Sequence, residues 1–182
     1  MSVFSPTESF LVKNILEGAK RRLAVPTKKK EPITPELLLK MYDNLYSDNN
    51  VLNQRTICAC LLACAAFLRV SELLNLRRCD IEFFPNHMSI FIQKSKTDIY
   101  RDGNRIIIAR TGNNLCPVKN MELYLQWVGN DHKFDFYLFR NLTKDNDHYI
   151  FRKENVPLCY SRMRELFIQA FKAFVSGNFW CS

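Results

Sequence analysis

The 182-residue sequence has no apolar run as long as a membrane span, which takes about 20 residues. Its longest such stretch, residues 57–68, is rich in Ala and Cys and ends in charge, so it reads as a buried helix. The opening MSVFSPTESF has neither the charged start nor the apolar block of a signal peptide. Together these absences point to an intracellular protein, nuclear if the source is eukaryotic, with no membrane partner. The sequon Asn141-Leu142-Thr143 carries little weight without a secretory signal. No C-x-x-C occurs among the seven cysteines, so the loop-like ligand spacing of a zinc site is missing. Cys58, Cys60 and Cys64 share one apolar stretch, and the set reads as free buried thiols in a reducing compartment. Carboxylates do not cluster either. Asp145 and Asp147 fall in a polar stretch with no obvious partner, which argues against a metal-dependent nuclease. No metal and no cofactor are expected. There is no internal repeat and no low-complexity tract.

What is present is positive charge. The formal net charge is +8 and the isoelectric point is near 9.2. A balance of that kind suits a polyanionic partner, most simply nucleic acid. Hydrophobic residues make up 47% and charged residues 24%, ordinary values for one globular domain with a real core.

The pattern along the chain is mainly helical. Residues 7–24 form a first expected helix, with Phe10, Leu11, Ile15 and Leu23 as apolar positions and Lys20, Arg21 and Arg22 at its end. A proline-bounded basic linker follows, carrying Lys28, Lys29 and Lys30. Thr34-Pro35-Glu36 starts a second helix, with threonine as cap and proline in the first turn. The third, over residues 52–68, is apolar almost all round and should be central. Ser71 is expected to cap a short fourth helix. Met88, Ile90 and Ile92 alternate as a strand, and residues 105–109 are its natural partner across a polar hairpin tip. Pro117 begins another helix. Residues 137–140 and 149–152 read as short extended pieces, and Ser161 opens a final helix to about residue 175. The expected fold class is α+β, mostly α-helical, with a small antiparallel sheet.

Two cations stand out in this frame. Arg69 lies in FLRVSELLNL, where an apolar helix ends and a Ser/Glu-started helix begins. Lys96 lies in KSKTD at the hairpin, with Lys94 as its rival. Read alone, Arg69 could be a helix-terminal cation favoured by the macrodipole, and Lys96 one solvated lysine among several. The ordered series of apolar helix, FLRVSELLNL, Asp80-Ile81, strand, KSKTD, strand and proline-started helix resembles the tyrosine recombinase (phage integrase-like) family. There the first motif runs roughly GLRxSELLxL and a hairpin lysine follows it.

The resemblance implies a tyrosine recombinase catalytic-domain-like fold over residues 33–182, preceded by an N-terminal helix and basic linker over residues 1–32. It implies DNA recombination and DNA integration through a phosphotyrosine intermediate, with double-stranded DNA as partner and possible self-association on DNA. It assigns catalytic roles to Arg69 and Lys96 and a supporting role to Glu72. Arg69 would clamp the non-bridging oxygens of the scissile phosphate, because a guanidinium meets two oxygens in a fork. Lys96 would protonate the leaving 5′-oxygen as general acid. Glu72 would hold Arg69 in orientation. Lys20, Arg21, Arg22, Lys28, Lys29, Lys30 and Lys94 would bind DNA. A nuclear-localisation cluster or a solvated linker is the bland reading of the first six. The resemblance also implies an Arg69 partly buried at the helix junction, with the hairpin on the same surface.

The family's second block, H-x-x-R followed by a nucleophilic tyrosine, does not occur in these residues. His87, His132 and His148 are followed three positions on by Ile90, Asp135 and Phe151. His148 reads as a surface-loop residue, Tyr160 as a packing or capping residue, and Trp180 receives no role. A catalytic-domain fragment, inactive alone, is therefore expected. The alternative is a non-catalytic DNA-binding module derived from a mobile-element recombinase. A truncated gene, a decayed remnant and a domesticated protein all fit.

Overall fold

A computed structural model of the chain describes residues 9–24, 32–47, 50–93, 103–129, 135–146 and 148–174. The chain divides into two compact units, Met1–Glu31 and Pro32–Ser182.

In the first unit, helix α1 spans Phe10–Leu23. Lys20, Arg21 and Arg22 occupy its last turn, where positive charge complements the helix dipole. Phe10, Leu11, Ile15 and Leu23 all lie on the surface of this helix. Lys28, Lys29 and Lys30 lie outside the described residues.

The second unit begins with α2, Pro35–Leu45. Thr34 caps it as expected, its Oγ1 accepting from the Leu37 N–H at 3.3 Å. Helix α3, Val51–Ala65, is the centre of the fold, with ten buried residues. Asn50 caps it by accepting from the N–H groups of Leu52 and Asn53 at 3.0 and 3.2 Å. The helix stops at Ala65, short of the expected residue 68. Phe67 adopts φ 51° and the Leu68 N–H returns to the Ala63 carbonyl at 3.1 Å. That pairing, with a left-handed residue in between, is the Schellman stop.

Helix α4, Val70–Asn75, is capped by Arg69 rather than Ser71. The reason is Glu72, whose Oε2 accepts from the Arg69 backbone N–H at 2.8 Å. An acid at the third helical position reaching back to the cap residue fixes the first turn there. Ser71 sits one residue inside, and its carbonyl accepts from the Asn75 amide at 2.8 Å.

A 3-10 turn, Arg78–Asp80, leads into a three-stranded antiparallel sheet in the order β1-β2-β3. Strands β2 (His87–Ile92) and β3 (Asn104–Ala109) form the expected hairpin, and β1 (Ile81–Phe83) adds an edge. Ile90 lies opposite Ile81 on one side and Ile106 on the other. Helix α5, Pro117–Val128, packs on α3. Gln54 crosses between them, donating to the Asn120 carbonyl at 3.2 Å.

Residues 137–140 are not a strand. They form isolated bridges at Arg77–Tyr137 and Arg140–Pro157, with Leu138 and Phe139 fully buried between. The strands are β4 (Leu142–Asp145) and β5 (His148–Phe151), a separate antiparallel pair. His148 is exposed but belongs to a strand, not a loop. Helix α6, Tyr160–Phe171, closes the unit through Met163, Leu166, Phe167, Ala170 and Phe171. Tyr160 is the first residue of that helix at 61% exposure, so it belongs to the capping region and not to the packed core.

Six described cysteines are all free thiols. Cys58, Cys60 and Cys116 are buried, whereas Cys79 and Cys159 are exposed, against the reading of the set as uniformly buried. Burial pushes the Cys58 and Cys60 thiols up. No described helix is long and apolar enough to cross a membrane.

Candidate nucleic-acid interface

Arg69 stands at the corner where α3 ends and α4 starts. Its side chain is 49% exposed while that of Glu72 is 10% exposed. Arg69 is thus only half covered, and most of the burial at this corner belongs to the acid. The physical reason is the corner itself: Arg69 lies outside the helical turns, and Glu72 lies beneath it within the first turn. Glu72 binds Arg69 twice. One oxygen takes the backbone N–H at 2.8 Å, and Oε1 takes Nη1 at 3.0 Å. The pair both starts the helix and limits the rotamers of the guanidinium.

Arg69 and Glu72 share a hollow of about 230 Å³ with Ile92, Asn104 and Ile106. Ile92 is the last residue of β2 and Asn104 the first of β3. The corner between α3 and α4 and the loop end of the hairpin thus face one space. Lys94 and Lys96 belong to the segment joining Ile92 to Asn104 but lie outside the described residues.

A second hollow of about 250 Å³ adjoins the first, since Glu72 and Ile92 line both. Its walls include Arg77, Asp80, Gln93 and Tyr137. Asp80 accepts from the Arg77 backbone N–H at 2.9 Å and from the Gln93 amide at 2.9 Å. Arg77 lies 4.5 Å from the centre of the Tyr137 ring, donates to the Tyr137 hydroxyl at 3.0 Å, and pairs with Asp135. The hydrogen bond that Arg77 donates to Asp135, then that to Tyr137, holds its guanidinium above the usual arginine range. The same bond from Arg77 holds the Asp135 carboxyl below its usual range. Sequence reading passed over this group. Its signal was the repeated pattern of an arginine followed three residues later by an acid, Arg69–Glu72 and Arg77–Asp80.

At the other end of the hairpin, Arg110 makes a two-pronged pair with Glu122 at 2.8 and 2.5 Å, tying β3 to α5. Hydrogen bonding to Arg110 lowers the Glu122 carboxyl. Both depressed acids, Asp135 and Glu122, contribute stability that is in place above the ordinary carboxylate pKa near 4. That contribution drains as pH falls through their lower folded values. Thermal unfolding should therefore shift to lower temperature as pH falls from about 5 to about 3, modestly, because both carboxylates are partly exposed and screened by solvent. The double variant Arg77→Met/Arg110→Met should show a flatter acid slope, and an unchanged slope would count against these pairs as its source.

Among the described residues, no group of three or more His, Cys, Asp or Glu is placed to hold a metal ion.

No protein-family model matches the chain, and no curated protein matches it in sequence. Among solved structures it is similar to the XerH site-specific recombinase bound to its difH substrate, in a pre-cleavage complex. The TM-score is 0.50 at 15% identity, over 95% of this chain. The match takes in 52% of the recombinase chain, so this chain spans about half its length. The likeness concerns the fold, which is α+β and tyrosine recombinase catalytic-domain-like.

Proposed function

We propose that this chain is a tyrosine recombinase-type DNA-binding domain that holds duplex DNA at the Arg69 hollow and does not cleave it alone. The observation behind this reading is the shared hollow: Arg69, Glu72, Ile92 and Asn104 line one space, and Lys96 lies in the segment joining the last two. In the reading, Arg69 grips two non-bridging oxygens of one phosphate, with Glu72 setting its direction. Lys96 would supply the proton for a leaving 5′-oxygen only once a nucleophile attacks the phosphate. Lys94 and the cations of residues 20–30 add backbone contacts. Residues 33–182 are then a partial catalytic domain, joined to the N-terminal helix and linker of residues 1–32. The origin is a recombinase of DNA integration, and contact between copies on DNA follows the family's habit.

Cleavage needs more than these groups. A tyrosine oxygen must attack phosphorus as the bond to the 5′-oxygen breaks, giving a covalent intermediate. These 182 residues hold no H-x-x-R and no tyrosine in the family's position.

Fluorescence anisotropy with a labelled duplex tests the reading. Arg69→Lys keeps the charge but loses the fork, and Glu72 still caps α4 through the backbone. It should weaken binding several-fold, and Arg69→Ala about tenfold, the worth of one charged hydrogen bond. Wild-type affinity in Arg69→Ala/Lys96→Ala would overturn the assignment. A suicide duplex that traps covalent adducts should give none. An adduct on any tyrosine would overturn the non-cleaving half.

A further inference from the structure

Phe67 is the most exposed large apolar residue described in the chain, at 92%. It also holds a backbone conformation that phenylalanine tolerates poorly, φ 51°. This is the residue that ends α3, the position after the cap, with the Leu68 N–H returned to Ala63. Glycine is the usual occupant there, because a side chain in the left-handed region crowds its own carbonyl. Packing does not explain the choice. Its neighbours do the inward work, Ala66 being buried and Leu68 packed against the core, while the Phe67 ring meets solvent. A glycine would end the helix with less strain and expose no ring. The aromatic is therefore held against both backbone and solvation preference.

Its place suggests what it contacts. Phe67 lines the same hollow as Arg69. An exposed ring next to a half-exposed guanidinium, on a chain of net charge +8, matches a partner that offers phosphate and flat aromatic surface together. Nucleic acid does so, with stacking faces one nucleotide from the charge. A rigid turn also suits the task, since a wedge must keep its direction to unstack a base step.

We propose that Phe67 is a base-contacting residue, stacking on a nucleobase beside the phosphate held at Arg69. This rests on the DNA-binding reading above and adds a contact that carries no charge.

The test compares wild type, Phe67→Asn and Phe67→Trp on a labelled perfect duplex and on one with a single unpaired base. Asparagine accepts the left-handed turn, so the fold is kept, and thermal unfolding should be unchanged or raised. Phe67→Asn should lose about 5- to 100-fold in affinity for the duplex with the unpaired base, the range of one lost stacking contact. Phe67→Trp should bind within a few-fold of wild type. The slope of affinity against salt should be the same in all three, because no phosphate contact is lost. If wild type binds DNA and Phe67→Asn binds within twofold of it, the stacking role falls while the DNA-binding reading stands. A weaker Phe67→Asn with a reduced salt slope would likewise overturn stacking. If wild type binds neither duplex, the DNA-binding reading fails and the stacking role with it.

Discussion

Raising salt from about 50 to about 200 mM should cut the affinity of this chain for duplex DNA by about 10³-fold. The size follows from counting cations. Nine are placed on DNA by the reading given above: Lys20, Arg21, Arg22, Lys28, Lys29, Lys30, Arg69, Lys94 and Lys96. Each one seated on a phosphate releases condensed counterions, giving a slope of roughly 0.9 decades per decade of salt for each contact. Six simultaneous contacts over a fourfold salt change give about three decades. Not all nine cations need engage, since Arg69 shares its guanidinium with Glu72 and Arg21 lies 3.8 Å from Glu17.

Sequence dependence separates this from base readout. Phosphate contacts fix register without reading sequence, so random duplexes of equal length should bind within a few-fold of each other. Replacing Lys28, Lys29 and Lys30 together by Gln should lower the slope by about 2.7. Anisotropy titrations at four or more salt concentrations measure both quantities. Affinity flat across this salt range would end the case for a phosphate-binding surface.

Much of this architecture was legible wherever one local signal dominated. Thr34-Pro35 announces α2 because a cap and a proline in the first turn act within one turn of chain. The alternation of Met88, Ile90 and Ile92 announces β2 because one face of the strand is buried. Harder positions were those where a distant group decides. Residues 137–140 carry strand-like residues, but they are held by Tyr124, Leu76 and Asn155 from three other segments. The start of α4 depended on which backbone N–H Glu72 reaches, so the better intrinsic cap, Ser71, lost to Arg69. At the candidate site, the adjacency of Arg69 to Glu72 was legible from their spacing. The exposure of Arg69 was not, because it depends on how sharply α3 is ended. A phenylalanine where the motif otherwise carries glycine was the visible clue to that corner, and its meaning needed the backbone angle.

The site's dependence on buried packing gives the second large effect. Tyr124 on α5 is fully buried, and burial pushes its phenol well above the usual range. Its hydroxyl donates to the Leu138 carbonyl at 2.7 Å, and its ring stacks on Phe139 with centres 5.8 Å apart. Leu138 in turn donates its N–H to the Leu76 carbonyl at 2.9 Å, and the adjoining Tyr137 lines the hollow next to Arg69's. One aromatic thus holds the segment that forms a wall of the site. Tyr124→Phe keeps the ring but leaves the buried Leu138 carbonyl without that donor, so it should cost about 1–3 kcal/mol. Tyr124→Ala also opens a cavity beside Phe139 and should cost about 3–5 kcal/mol, as large aromatic truncations do. Against a total stability of about 5–15 kcal/mol, that is a large share of what holds the domain folded. Urea unfolding monitored by circular dichroism measures both, and the spacing between the two variants is the informative quantity. If Tyr124→Phe matches wild type while Tyr124→Ala falls as stated, packing alone positions the segment and the hydrogen bond to Leu138 contributes nothing.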